Sequence, residues 1–172
     1  MPGFTACSIL VFAGTLAGSL LPGRAAAQTA AVGHAATGPT FGDDYLYRFG
    51  LNVVGGAERR NGQFGVGADL AVLYFPATRR SAGLGEVSGS EFFWPLASAY
   101  GAYHFGQTGR GLEPFAQAGV AVSFAGGVGW DLGGGADWWL TPRVGVRTAI
   151  RDRFARLPLL GPVSVEGGIV FR

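Results

Sequence analysis

The sequence carries little charge and no lysine. Only 14% of its 172 residues are charged, and all 13 basic residues are arginine. Soluble domains usually carry about a quarter charged residues, so a surface built from this chain would be unusually poor in charge. The net charge of +2 and the lack of a basic patch with interleaved aromatic residues predict no nucleic-acid partner.

Cysteine is almost absent. Cys7 is the only one, and it precedes an apolar run from Ile9 to Leu21. This run is shorter than the roughly 20 residues that a membrane-spanning helix needs, and the small-residue segment Ala25-Ala26-Ala27 follows it as in a signal-peptide cleavage site. We therefore predict a signal peptide over residues 1–27 and a mature chain, 28–172, without disulfide or thiol chemistry. A membrane anchor is the alternative interpretation of the run.

Long apolar runs and helical periodicity are also absent beyond the predicted signal peptide. Side chains instead alternate with period two, most clearly from Val128 to Phe154, which we interpret as two strands joined at residues 140–143. One face of each strand is apolar and the other carries charge and glycine. We predict seven such strands between Tyr45 and Phe171. Each has roughly ten residues, which is the length of a tilted strand that crosses a membrane.

A soluble sandwich or lipocalin-type barrel would also show strands and turns. Three features favour a membrane barrel instead: the length of the strands, the charge and glycine on their polar faces, and the aromatic residues near their ends. Membrane barrels have aromatic girdles at both interfaces. The predicted girdle comprises Tyr45, Tyr47, Tyr74, Phe75, Trp94, Trp138, Trp139 and Phe154.

The run from Leu112 to Ile150, with EPFAQAGVAV followed by GGGADWWLTPRVGVR, resembles small bacterial outer-membrane β-barrel proteins of the OmpA, OmpX and opacity-protein kind. The resemblance extends from Tyr45 to Arg172. It implies an all-β fold, namely an eight-stranded antiparallel up-and-down transmembrane barrel that is surrounded by outer-membrane lipids. It also implies periplasmic chaperones and the barrel-assembly machinery as partners. Such proteins end in an aromatic residue that this machinery recognises; here Phe171 is penultimate and Arg172 is last.

Bacterial barrels have an even number of strands, short periplasmic turns and longer external loops. With the C-terminus in the periplasm, the turns predicted at 58–62, 107–111 and 140–143 are periplasmic. The connection 76–94 and the segment 155–162 are then external. An eighth strand must precede Tyr45, and only residues 28–42, which have poor β character, can supply it.

Eight strands leave an interior filled by side chains rather than a wide channel. Charges inside it need partners, because desolvation costs several kcal/mol per ion. Asp137 and Arg147 are expected close together across the 140–143 turn, and Glu166 is expected to reach Arg151. The full set of residues predicted to form this structural network is Arg48, Asn52, Asp69, Gln117, Asp131, Asp137, Arg147, Arg151 and Glu166. A gated polar path is the alternative.

No catalytic, metal or cofactor site is predicted. His104 is followed by Phe105 and Gly106, which departs from the His-x-Ser arrangement that resembles lipid A deacylases, and His34 stands in the weak N-terminal segment. A hydrolase needs a base beside its nucleophile, so we interpret both histidines as surface or interfacial residues. Zinc, calcium and nucleotide motifs are missing. The predicted function is a structural or surface-interaction role in the outer membrane with no specific ligand indicated. The alternatives are a narrow pore for small solutes and, third, a lipid-modifying enzyme.

Overall fold

The computed structural model describes residues 29–42, 49–82, 85–106, 111–155 and 161–172. The predicted signal peptide lies outside these ranges, and so do Tyr45, Tyr47 and Arg48. Within the described ranges, no helix has both the length and the apolar character to cross a membrane.

The described chain forms ten strands, and eight of them close into one antiparallel barrel. The ten strands are β1 (Thr29–Phe41), β2 (Gly50–Asn61), β3 (Phe64–Phe75), β4 (Thr78–Ala82), β5 (Gly85–Gly89), β6 (Phe92–His104), β7 (Gly111–Ser123), β8 (Val128–Trp139), β9 (Val144–Ala155) and β10 (Val163–Phe171). Around the barrel the order is β1-β10-β9-β8-β7-β6-β3-β2, with β1 paired to β2 to close it. The predicted fold class is confirmed.

β1 is the eighth strand that residues 28–42 were expected to supply. Its weak β propensity is overridden because it pairs along its length with β2 and also with β10. The ladder with β10 runs to Thr37 and resumes at Thr40, so it skips Gly38 and Pro39. Proline has no N–H to donate to a ladder, which explains the interruption.

The turn between β2 and β3 is shorter than the sequence indicated. Residues 58–61, predicted as part of a turn, belong to β2, and only Gly62 and Gln63 connect the two strands. Gly62 has φ of 61°, in the left-handed region that glycine adopts without strain. Glu58 and Arg60 follow the alternation of the strand and point inward, so their charge marks the interior and not a turn.

The connection predicted at 76–94 contains regular structure. β4 and β5 pair with each other as a separate two-stranded sheet, and β6 already begins at Phe92. The turn end of the barrel holds residues 62–63 and 140–143, and the loop end holds the connection 76–91.

The outer wall of the barrel is apolar, and its interior holds the charges. This distribution is the reverse of that in a soluble protein and is the pattern of a membrane barrel. Exposed wall residues include Leu51, Val53, Val66, Leu70, Val120, Leu132, Val146, Ile150, Val165 and Ile169.

Aromatic rings lie on the outer wall at both ends. At the turn end Phe64 and Tyr103 have ring centroids 5.1 Å apart, and Tyr103 and Phe105 have centroids 4.9 Å apart. At the loop end the rings of Tyr74 and Phe93 are 4.7 Å apart. The two groups occupy the positions of interfacial girdles.

The girdle prediction is wrong for one member of each aromatic doublet. Tyr74 and Trp138 lie on the outer wall, whereas Phe75 and Trp139 are buried in the interior. Successive side chains of a strand point to opposite faces, so adjacent aromatics cannot both face lipid.

Trp94 also departs from the predicted girdle. It is partly buried against the inner apolar cluster and donates from Nε1 to Ser123 Oγ at 2.6 Å. It shares the inward parity of the buried residues that follow it in β6. The remaining predicted members, Tyr45, Tyr47 and the side chain of Phe154, lie outside what the structure describes.

Candidate functional site: the polar interior

The barrel interior collects most of the ionisable side chains of the strands. Of the nine polar residues predicted there, Arg48 is outside the described ranges. The structure buries the other eight, which are Asn52, Asp69, Gln117, Asp131, Asp137, Arg147, Arg151 and Glu166. Six further acidic, basic or histidine residues are buried there and are not among the predicted set, namely His34, Glu58, Arg60, His104, Glu113 and Arg153.

Six of these side chains form what we call the turn-side cluster. Arg60 of β2 is its centre, donating from Nε to Glu58 at 2.8 Å, from Nη1 to Glu113 at 3.0 Å and from Nη2 to Asp137 at 2.8 Å. One guanidinium thus joins carboxylates from β2, β7 and β8. The members of the cluster are Glu58, Arg60, His104, Glu113, Asp137 and Arg147.

Asp137 and Arg147 lie directly opposite each other in the β8–β9 ladder. Arg147 donates from Nε to Oδ1 at 2.7 Å and from Nη2 to Oδ2 at 2.9 Å, which is the strong two-pronged geometry of an arginine–carboxylate pair. Its guanidinium carbon also lies 4.7 Å from the ring centroid of Phe115. The sequence predicts this proximity from the short turn that joins the two strands.

His104 is not the surface or interfacial residue that the sequence suggested. Its side chain is fully buried, with Nε2 2.7 Å from Glu58 Oε1 and Nδ1 3.3 Å from Glu113 Oε1. Glu113 also accepts from Trp139 Nε1 at 2.8 Å. His104 ends β6 in the same inward parity as the buried Tyr100 and Ala102, so strict alternation along the strand predicts its burial.

The remaining six buried acidic, basic or histidine side chains form the loop-side cluster. Arg151 pairs with both Asp69 and Asp131, and its Nε donates to Asp131 Oδ1 at 3.2 Å. With the Gln117 amide oxygen turned toward it, Gln117 accepts from Arg151 Nη2 at 2.9 Å and Nε at 3.0 Å. The members of the cluster are His34, Asp69, Asp131, Arg151, Arg153 and Glu166.

Glu166 has a different partner from the one expected. It pairs with Arg153 and accepts from Asn52 Nδ2 at 2.9 Å. The guanidinium of Arg151, which was expected to meet it, is turned the other way, toward Asp131 on β8. That direction is open because Gly133 lies opposite Arg151 in the ladder.

Inward glycines leave room for these long side chains. A Cβ at Gly133 would lie 2.7 Å from Arg151 Cγ, and one at Gly65 would lie 2.7 Å from Glu58 Cδ. Both distances are too short for carbon atoms, so any larger residue would displace the ion pairs.

His34 is likewise interior, on β1. Its Nε2 lies 3.0 Å from Asp69 Oδ1, and a Cβ on Gly56 would come within 2.9 Å of its Cε1. The interpretation of His34 as a surface or interfacial residue is therefore wrong. Its inward position follows once β1 is part of the barrel.

Apolar side chains fill the rest of the interior. At the loop end Leu73, Phe75 and Leu96 centre a buried cluster. At the turn end Trp139 packs with Val32 and Val170. The guanidinium carbon of Arg172 lies 4.2 Å from the centroid of the Trp139 ring. Buried apolar side chains therefore lie at both ends of the described barrel.

The buried carboxylates lie beside groups that can carry the opposite charge. Every carboxylate of the two clusters has a cationic or histidine partner within 4 Å. Among the described residues no group of three or more histidine, cysteine and acidic side chains could hold a metal ion.

No protein-family model and no curated protein matches the chain in sequence. Solved structures do match its shape. Neisserial surface protein A aligns with a TM-score of 0.55 at 14% identity, over 82% of this chain and 94% of that one. The de novo designed protein TMB2.3 aligns with a TM-score of 0.51 at 15% identity, over 87% of this chain and 98% of that one.

The N-terminal β-barrel domain of Pseudomonas aeruginosa OprF aligns with a TM-score of 0.49 at 18% identity, over 84% of this chain and 98% of that domain. At such identities the likeness concerns the fold. The chain has the fold of the small eight-stranded membrane barrels, and its apolar wall is that of a membrane barrel protein.

Proposed function

We propose that the protein is an integral outer-membrane β-barrel that remains closed to solutes and has a structural or surface-interaction role. The apolar wall, the aromatic rings at both of its ends and the likeness to small membrane barrels support a position in the membrane. The predicted signal peptide supports export to the outer membrane.

The observation that carries the closed state is the burial of the interior charges. Arg60, Glu113, Asp131, Asp137 and Arg153 all have 0% of their surface exposed. A water-filled path would leave such groups hydrated and accessible. Their mutual pairing instead offsets the cost of removing each ion from water.

The surface role rests on the connection between β3 and β6. It is long enough to form its own sheet of β4 and β5, apart from the barrel ladder. With the C-terminus in the periplasm, this sheet projects from the external face. On the same orientation Phe171, exposed at the end of β10, is the aromatic residue for the barrel-assembly machinery.

Conductance in planar lipid bilayers tests the closed state. The refolded protein is reconstituted, and heat-modifiable migration on gels is recorded for the same sample, so that folding is established independently. A folded barrel without steady openings is the expected result. Steady single-channel openings by the folded protein would contradict the closed role and favour a narrow pore for small solutes.

A further inference from the structure

The imidazole of His104 lies between two carboxylates from different strands. Nε2 is 2.7 Å from Glu58 Oε1 on β2, and Nδ1 is 3.3 Å from Glu113 Oε1 on β7. β6 and β2 are not neighbours, because β3 lies between them. His104 therefore links three strands of the turn end.

A neutral imidazole suits this position poorly. It has one N–H donor and one bare nitrogen that accepts. Whichever nitrogen lacked the proton would face a carboxylate lone pair across 2.7 or 3.3 Å. An imidazolium donates from Nε2 to Glu58 and forms an ion pair with Glu113 on its Nδ1 side.

The charge balance of the turn-side cluster agrees with this. The cluster contains three carboxylates, from β2, β7 and β8, and two guanidiniums, from β2 and β9. Among these buried groups neutral His104 leaves one negative charge in excess, whereas the imidazolium brings the sum to zero. Arg172, which follows β10, also interacts with Glu113 and Asp137, but its side chain is exposed to solvent. On the remaining side β3 contributes Gly65, which makes room for Glu58.

We propose that His104 is protonated in the folded barrel and acts as a proton-dependent link between β6, β2 and β7. Deprotonation removes this link and leaves Arg60 as the cation that Glu58 and Glu113 share. The barrel is then most firmly closed at acidic and neutral pH and loosens as the pH rises.

The sign of the pH effect follows from proton binding. An unfolded histidine loses its proton near pH 6.5, and on this proposal the folded barrel releases the His104 proton only at a higher pH. Between these two points the folding equilibrium constant falls by about tenfold per pH unit for this one proton.

Nitrogen-15 NMR of the imidazole rings in lipid nanodiscs tests the protonation state without any change to His104. The chain has only two histidines, and His34→Gln assigns the remaining signals to His104. At pH 7.5 both ring nitrogens of His104 are expected to carry protons. A neutral tautomer at that pH would overturn the proposal.

Urea unfolding in vesicles between pH 6 and pH 9 tests the link itself. The parent midpoint is expected to fall as the pH rises. His104→Gln should unfold at lower urea at pH 6 and lose the pH dependence that His104 sets. Adding Glu58→Gln should raise the midpoint again, because the charge balance is restored.

His34→Gln is the matched control, since it also removes a buried histidine beside a carboxylate. Its midpoint should still fall with rising pH. Two outcomes would overturn the proposal: full pH dependence that persists in His104→Gln, or a double variant less stable than His104→Gln alone.

Discussion

Asp137 is shared by two arginines that reach it from different sides of the barrel. Arg147, opposite it on β9, donates to Oδ2 at 2.9 Å, and Arg60 of β2 donates to the same oxygen at 2.8 Å. β2 and β9 are separated in the ladder by β1 and β10. The carboxylate therefore ties a local hairpin to a strand across the interior.

The apolar wall predicts behaviour in the cell and on gels. The protein should fractionate with the outer membrane, and its migration on gels should change on heating, because the barrel resists unfolding in detergent until heated. Recovery as a soluble periplasmic protein would rule out the membrane barrel.

A charge placed on the lipid-facing wall should destabilise the barrel according to depth. Ile150 is exposed near the middle of β9, and Ile150→Arg should cost about 2–4 kcal/mol. Val144 begins the same strand on the same face, and Val144→Arg should cost about 0–1 kcal/mol, as near an interface. Urea unfolding in vesicles measures both. Equal costs at the two positions would mean that this wall does not face the hydrocarbon.

Gly133 should resist enlargement, and Gly167 should not. A Cβ at Gly133 meets Arg151 Cγ at 2.7 Å and the carbonyl of Ile150 at 2.8 Å, whereas nothing lies within 4 Å of one at Gly167. Gly133→Ala should cost about 1–3 kcal/mol in free energy of unfolding through overpacking. Gly167→Ala should be neutral or stabilise by up to about 1 kcal/mol. A Gly133→Ala barrel as stable as the parent would show that the interior has spare room.

The adjacent tryptophans should respond differently to the same substitution. Trp139→Phe keeps a ring in the interior but removes the N–H that donates to Glu113 at 2.8 Å, which should cost about 1–3 kcal/mol. Trp138→Phe, on the outer wall, should change the stability by about 0.5 kcal/mol or less. Thermal or urea unfolding of the two variants side by side measures the difference. A larger loss for Trp138→Phe would reverse the assignment of faces.

Sequence alternation predicts the facing of individual residues because a strand leaves only two choices. It places Asp69, Gln117 and Glu166 inward, as the structure has them. The same rule, applied strictly, separates Phe75 from Tyr74. The prediction is wrong at Glu58 and Arg60, because their charge is typical of a turn whereas the alternation of β2 continues through them and points both inward.

Contacts between distant strands of the barrel do not follow from alternation along one strand. Asp137 and Arg147 are predictable as a pair because a four-residue turn fixes their register. Arg60 and Glu113 are 53 residues apart and meet only because the closed barrel sets the stagger of all eight strands. β1 illustrates the same limit, since its pairing on both edges and not its own composition makes it a strand.

The coupling between Asp137 and Arg147 tests most directly whether the interior charges compensate one another away from water. Urea unfolding in lipid vesicles is compared for the parent, Asp137→Ala, Arg147→Ala and the double variant. Each single change should cost about 3–5 kcal/mol, because it leaves a buried charge without its partner. The double variant should cost clearly less than the sum of the two. Strictly additive costs would show that the two charges do not interact and that the interior is hydrated, and would contradict the closed barrel.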